Sequence, residues 1–204
     1  TLNMSHGSVS LPIIPPKKLL KGIMVNEQGQ RFINEDVYYG LLGEAALYKA
    51  SGRAYLILDG DTYEPPEVER ELAAVGENLA ELERNLHMPA GSLEATLGLY
   101  NRYAKDGQDP AFHKSPEYVV PLEPPYAALD CTTDNSLYAV FTLGGLWTDP
   151  DGAVLDAEGQ RVAGLWAAGR AAAALSAPGY SSGLSIGDAT FFGRRAGRQA
   201  AVSA

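Results

Sequence analysis

The residues whose spacing says most about chemistry lie near the end of the chain. Ala189, Gly193, Gly197 and Ala201 recur every four residues, so a helix over 184–202 would carry a ridge of almost no bulk along one side. Something must approach that face closely, and a sheet packed against it is the plainest occupant. The same helix would start within Ser181 to Gly187. Unpaired backbone N–H groups and the positive end of the helix dipole at such a start can hold a negatively polarised group. Other reactive types are dispersed. His6, His87 and His113 stand alone and read as surface or structural residues, Arg31 and Glu35 form an i,i+4 pair, and 11 tyrosines are spread along the chain. The single cysteine, Cys131, rules out an internal disulfide. With no His/Cys grouping at zinc spacing, no metal site is expected.

The elements that must position these residues follow from periodicity and punctuation. Pro12, Pro15 and Pro16 lead into a short strand at Gly22 to Val25, Asn26 to Gly29 supplies a turn, and Arg31 to Glu35 resumes an extended run. Tyr39 to Ala50 has helical spacing, and Ala54 to Leu58 reads as a buried strand closed by Asp59, Gly60 and Asp61. Apolar residues Val68, Leu72, Val75, Leu79 and Leu82 predict one helix from Pro66 to Leu86, with the acids from Glu67 to Glu83 on its solvated face. Ser92 is the expected N-cap of a further helix ending near Asp106 and Gly107. After the prolines at 116, 121, 124 and 125 the pattern changes to short strands and turns: Phe141 to Leu143, Val154 and Leu155, and Gly164 to Ala168. The change places a domain boundary near residue 142.

A chain of 204 residues, 46% hydrophobic and 20% charged, can bury a core of one large or two small domains. A net charge of −9 without clustered Lys and Arg excludes a nucleic-acid footprint and leaves a small molecule as the expected partner. No apolar run approaches the length of a bilayer span, and residues 1–20 lack the pattern of a signal peptide, so the expectation is a soluble cytoplasmic protein.

Five strings in order give these features a context. Thr142-Leu-Gly-Gly-Leu146 with Gly152-Ala-Val-Leu-Asp156, then Gly164-Leu-Trp-Ala-Ala-Gly-Arg170, Gly179-Tyr-Ser-Ser-Gly-Leu-Ser-Ile-Gly-Asp188 and Phe192-Gly-Arg-Arg-Ala-Gly197 resemble the C-terminal flavin-binding end of the 3-ketosteroid dehydrogenase and fumarate reductase flavoproteins. Gly22-Ile-Met-Val-Asn-Glu-Gln-Gly-Gln-Arg-Phe-Ile-Asn-Glu35 is similar to the start of their substrate cap, and Asp109-Pro-Ala-Phe112 and Pro124-Pro-Tyr-Ala127 to its later landmarks. The resemblance implies an α/β protein: an α+β capping domain over 1–142, then the C-terminal part of a Rossmann-type FAD domain over 143–204. It implies FAD as cofactor, with Gly144, Gly145, Ala168, Gly169, Arg170, Leu184, Ser185 and Ile186 beside it. Those enzymes carry a Gly-x-Gly-x-x-Gly loop upstream of the cap, and none is found in this sequence. The main ADP-binding element is therefore expected from a missing N-terminal segment or a second chain, and the chain alone is expected to bind FAD weakly or not at all.

Departures from the fumarate reductases bear on substrate. Dicarboxylates need charge-assisted donors, yet Phe141 stands where a histidine is expected, Lys114 where the proton-donating arginine is expected and Tyr180 about where a further arginine is expected. The substrate implied is an uncharged ring ketone, a steroid, lying near Phe141 and Gly183. In the ketosteroid branch Tyr180 and Ser182 match a tyrosine and serine beside the steroid A ring, and a second tyrosine of the cap falls on Tyr38 or Tyr39. Ser181-Ser182-Gly183 favours the 4,5-desaturating branch over the 1,2-desaturating one, whose members show a proline- and glycine-rich stretch there. Glu35 matches a proton-path residue of the fumarate reductases and is equally read as a structural partner of Arg31. Two other functions stay open: a flavin reductase for another small molecule, and a non-catalytic subunit that completes a partner's fold.

Overall fold

The computed structural model describes residues 16–64, 72–135, 143–173, 175 and 183–203. The chain divides into two compact units, Thr1–Ala139 and Val140–Ala204.

In the first unit, alternation along two strands assigns side chains to opposite faces of one sheet. Strands β1 (Ile23–Asn26), β2 (Ala54–Asp59), β3 (Leu72–Gly76) and β4 (Tyr126–Asp130) form an antiparallel sheet in the order β1-β2-β4-β3. Ile23, Val25 and Ile57 turn to one face and join Leu82, Leu86, Leu93, Leu97 and Tyr100 from helices α2 (Leu79–Asn85) and α3 (Ser92–Ala104). Met24 turns to the other face and meets Ala45, Ala46 and Ala50, at the end of helix α1 (Tyr39–Lys49). The period of two in the strands thus becomes three layers, helix on sheet on helix pair.

Two expectations are corrected here. The helix predicted from Pro66 to Leu86 is, among its described residues, the edge strand β3 followed by the short helix α2. Leu72 and Val75 match helical spacing but are 44% and 56% exposed, and hydrogen bonding to β4 decides their conformation over local preference. Asn78 ends the strand in extended geometry and caps α2, its side chain accepting the Glu81 N–H at 2.9 Å. The pattern Asn78-x-x-Glu81 is the sequence signal that marks this start.

Ser92 is the second correction: it is the first residue of α3, and the N-cap is Gly91, in the left-handed region with φ 78°. With no side chain at 91, Glu83 does the capping. Its carboxylate accepts N–H groups from Gly91 at 2.7 Å, Leu93 at 2.8 Å and Glu94 at 3.0 Å. Glu83 is buried, so it belongs to no solvated acidic face; the positive end of α3 satisfies its charge. Ser92 Oγ is buried without a partner among the described residues.

In the second unit β5 (Ala153–Leu155) and β6 (Arg161–Trp166) form a hairpin, with its turn at Asp156 to Gln160, where Asp156 Oδ1 accepts the N–H groups of Glu158 and Gln160. Helix α4 (Leu184–Ser203) closes the unit, where a helix over 184–202 is predicted. Arg195 on α4 donates to Asp151 Oδ1 at 2.7 Å, and Arg161 pairs with Asp149 across the same turn.

The capping arrangement predicts unequal costs for two substitutions. Glu83→Gln should lower unfolding free energy by about 1–3 kcal/mol, because the buried charge that accepts three N–H groups is lost. Ser92→Ala should cost less than the roughly 1 kcal/mol of a true N-cap serine. Denaturant melts at unchanged m-value measure both.

Candidate functional site

Arg31 is the most heavily engaged side chain of the first unit. It follows the turn after β1, where Val25 and Arg31 form a single bridge, so among the described residues the extended run predicted to Glu35 is paired only at its first residue. Its Nε and Nη2 donate to Glu35 at 2.8 and 2.6 Å, and Nη1 donates to Asp109 Oδ1 at 2.9 Å. The guanidinium lies between two rings, with Cζ 4.6 Å from the Phe112 centroid and 5.2 Å from that of Tyr100 on α3. Such a sandwich stabilises a desolvated cation by contact with the negative ring faces.

Lys114 completes the cluster. Its ammonium donates to Gly22 O at 2.5 Å and stands 3.1 Å from Glu35 Oε2. Met24 N–H also donates to Glu35, and the N–H groups of Phe112 and Lys114 donate to Asp109. The side chains of Arg31, Glu35, Asp109 and Lys114 are all at most 5% exposed. Two cations therefore face two carboxylates in a dry, formally neutral group, the arrangement that buried charges require.

The titration directions agree with this geometry. Burial would raise the Asp109 pKa, but the Arg31 hydrogen bond and charge, with two backbone N–H groups, hold it below the usual aspartate range. Burial pushes Lys114 down against the pull of Glu35, and it raises the Tyr100 phenol to about 12. Burial opposes the Arg31 charge too, yet Glu35 and Asp109 raise its pKa.

The consequence is a clamp between two loops. Asn34 Nδ2 donates to His113 O at 3.2 Å, and Asp36 Oδ2 accepts Ser115 N–H at 2.8 Å, so residues 31–36 are held against 109–115. Two residues past Asp36 comes Tyr38, half-buried at the N-cap of α1, and Tyr39 is the first residue of that helix. Of the clamp, the sequence pattern revealed only the Arg31–Glu35 pair. Asp109 lies 78 residues from Arg31, and Lys114, matched to the position of a proton-donating arginine, is engaged in this cluster.

In the second unit three segments matched to a cofactor come together. Leu146 N–H donates to Ala171 O at 2.8 Å, laying Gly144 and Gly145 beside the 3₁₀ turn Gly169–Ala171. A Cβ on Gly145 would stand 2.6 Å from Ala171 O, and one on Gly169 would stand 2.9 Å from Ala189 Cβ on α4. Gly193 faces Ala168, and Gly152 packs on Ala196. The small ridge is thus used through Ala189, Gly193 and Ala196, while Gly197 meets nothing within 4 Å. Helix α4 starts at Leu184 after the exposed Gly183; Ile186 is exposed, Leu184 and Ser185 half-buried, and Arg170 exposed. Tyr180, Ser182 and Phe141 lie outside the described residues. Among the described residues no group of His, Cys, Asp or Glu could hold a metal ion, and no helix is long and apolar enough to cross a membrane.

Comparison with known proteins places these features in a family. Residues 17–184 match the family described as FAD binding domain, so the chain belongs to that family, whose cofactor is FAD. The crystal structure of 3-ketosteroid Δ4-(5α)-dehydrogenase from Rhodococcus jostii RHA1, in complex with 4-androstene-3,17-dione, is 40% identical with a TM-score of 0.81, covering 91% of this chain and 40% of that one. The 3-ketosteroid Δ1-dehydrogenase of Sterolibacterium denitrificans is 29% identical with a TM-score of 0.71, covering 92% of this chain and 40% of that one. The vinyl phenol reductase of Lactiplantibacillus plantarum is 28% identical over 88% of this chain and 42% of its own length. The chain therefore spans about two fifths of the length of these relatives.

The residues present fit a flavin. Gly145 and Gly169 leave no room for a Cβ, and a 20-residue helix offers its N–H end nearby. Asp188, one turn into α4 and 3% exposed, has an Oδ1 without a partner among the described residues, an acceptor suited to a hydroxyl donor.

The clamp predicts an acid-dependent stability with a defined sign. The Asp109 pKa is lowered on folding, so its contribution is present above the ordinary value near 3.8 and is lost as pH falls through the lower folded value. Asp109→Asn should cost about 3–5 kcal/mol at pH 7 by leaving Arg31 half-paired. Its melting temperature should also fall less steeply than the wild type's between pH 4 and pH 2, as thermal melts across that range would show.

Proposed function

We propose, from its membership of the FAD-binding domain family, that this chain supplies the substrate cap and the flavin-facing end of an FAD-dependent 3-ketosteroid dehydrogenase that introduces the 4,5 double bond. The observation that carries this reading is the likeness to the Δ4-(5α)-dehydrogenase, at 40% identity over 91% of the chain, against 29% for the Δ1-enzyme. The use of Lys114 inside the cap core supports an uncharged substrate, because it leaves that cation engaged with Glu35 and Gly22.

When bound, FAD would supply the acceptor for the hydride that leaves the β-carbon of the ketone. Gly144, Gly145, Ala168, Gly169 and Arg170 would hold the cofactor, and the N–H groups of Leu184, Ser185 and Ile186 would stabilise the negative charge it gains on reduction. Phe141 and Gly183 border the steroid. The Tyr180 hydroxyl and the Gly183 N–H donate to the 3-keto oxygen and stabilise the charge that develops there. Tyr38 or Tyr39 of the cap takes part in removing the α-proton. A phenol of ordinary pKa near 10 is a weak base at neutral pH, so it needs a relay, which Ser182 provides.

The nucleotide-binding element comes from a further segment or a second chain. Trp147 is 55% exposed, Ile186 72% and Phe191 57%, large apolar side chains that such a segment or chain would cover.

In the holoenzyme, a saturated 5α-3-ketosteroid should bleach the oxidised flavin bands anaerobically, and fumarate should not reoxidise the reduced flavin. Tyr180→Phe should lower the bleaching rate by about 10²–10⁴-fold while steroid binding persists. Normal turnover in that variant would remove Tyr180 from the chemistry. No bleaching by any ketosteroid, together with reoxidation by an unsaturated acid or phenol, would point instead to a reductase of the kind named for the Lactiplantibacillus relative. Absence of co-purifying flavin even with the nucleotide-binding partner present would indicate a non-catalytic subunit.

A further inference from the structure

Five carboxylates are buried among the described residues, and four of them have both oxygens in use. Glu35 accepts Met24 N–H and Arg31 Nε on Oε1, and Arg31 Nη2 on Oε2. Asp59 accepts donors from Asp61 and Thr62 on Oδ1 and the Glu123 N–H on Oδ2. Glu83 caps α3 through both oxygens, and Asp109 holds Arg31 on Oδ1 and the Lys114 N–H on Oδ2. Asp188 differs from these four. It is 3% exposed, and its Oδ1 has no partner among the described residues. A carboxylate oxygen taken out of water without a donor costs stability, so the donor is to be sought beyond these residues.

The helix fixes where that donor stands. Asp188 follows Leu184 by four residues, so it lies on the same side of α4, one turn or about 6 Å further from the helix start. The next residue, Ala189, meets Gly169 in the turn matched to the cofactor. In the proposed site the N–H groups of Leu184 to Ile186 serve the N1 and O2 edge of the flavin. The ring nitrogen of FAD that carries the ribityl chain is bonded to the same carbon as N1, so the hydroxyls of that chain leave the ring beside this edge. A hydroxyl is a neutral donor, and its hydrogen bond to an ionised acceptor is of the stronger, charge-assisted kind.

We infer that Asp188 is a cofactor-binding residue whose Oδ1 accepts a hydrogen bond from a ribityl hydroxyl of FAD. The inference rests on the proposed orientation of α4 toward the flavin and is independent of which ketone is oxidised. Asp188 acts on affinity rather than on the reacting atoms. Its carboxylate lacks a donor until the cofactor binds, so removing the charge should weaken cofactor binding without harming the empty protein.

The test uses the full-length enzyme, deflavinated and reconstituted, as wild type, Asp188→Asn and Asp188→Leu. Each is titrated with FAD and with FAD analogues lacking the ribityl hydroxyl at the 2′, 3′ or 4′ carbon, and affinity is read from the change in flavin fluorescence. Asp188→Leu should weaken FAD by about 10–100-fold, and Asp188→Asn by less, because the amide oxygen still accepts. Against one of the three analogues neither substitution should have a further effect, because the hydroxyl that the carboxylate accepts is already gone. The deflavinated Asp188→Asn protein should melt at or above the wild-type temperature. Unchanged FAD affinity in both variants would overturn the inference, as would an equal loss against FAD and all three analogues. A lower melting temperature of the deflavinated Asp188→Asn protein would show that the donor belongs to the fold, and would also overturn it. No steroid enters these titrations, so a wild-type enzyme that no ketosteroid bleaches would remove the ketosteroid reading and leave the hydroxyl coupling to be judged on its own.

Discussion

Arg31 stands between two aromatic rings and two carboxylates, and the arrangement of the first unit follows from satisfying it. A guanidinium removed from water is tolerated only where its donors are used and its charge is matched. Glu35 and Asp109 do both, and each is tied to further backbone: Glu35 to Met24 on β1, Asp109 to the N–H groups of Phe112 and Lys114. Lys114 returns the second positive charge and reaches Gly22. One neutral cluster thus joins the edge strand, the helix carrying Tyr100 and two loops far apart in sequence. The loop segment it fixes runs directly into Tyr38. Stability and the proposed chemistry meet there, since the interactions that hold the cap core also determine where α1 begins.

The second unit is built on the opposite principle, the removal of side chains. Gly145, Gly152 and Gly169 each sit where a Cβ would strike a neighbour, and Ala189 and Ala196 form the face of α4 that receives two of them. Close backbone approach brings the Gly144–Gly145 segment, the 168–170 turn and the helix into one small structure, with the backbone N–H groups of the helix start beside the buried Asp188. That composition suits a planar cofactor whose negative charge appears only on reduction.

Periodicity was legible where burial was one-sided. The spacing of α3 was readable because Leu93, Leu97 and Tyr100 turn one buried face to the core, whereas Ile23, Met24 and Val25 are buried on both faces of the sheet and β1 was read from its flanking punctuation. Leu72 and Val75 misled because an exposed edge strand obeys no burial period; its conformation comes from β4, more than fifty residues later, and only Asn78-x-x-Glu81 announced the break. Ser92 looked like a cap because its residue type is right, but the acceptor that α3 uses is Glu83 from the preceding helix, and such a tertiary cap leaves no local pattern. The Arg31–Glu35 pair was visible at i,i+4, whereas Asp109 and Lys114 enter only through the fold. The ridge predicted at four positions is engaged at Ala189 and Gly193 and then turns to Ala196, because the turn at Gly152 approaches α4 at that point.

In the proposed reaction a saturated 3-ketosteroid would lose its α-proton at carbon 4 and its hydride at carbon 5, with this chain contributing the cap tyrosine and the helix that faces the flavin. The most direct measurement is stopped-flow flavin bleaching in the holoenzyme with 5α-3-ketosteroid deuterated at carbon 5, compared with the same steroid deuterated at carbon 1. A primary isotope effect on bleaching is expected from carbon 5 and none from carbon 1. An isotope effect from carbon 1 alone, or bleaching indifferent to both labels, would contradict it.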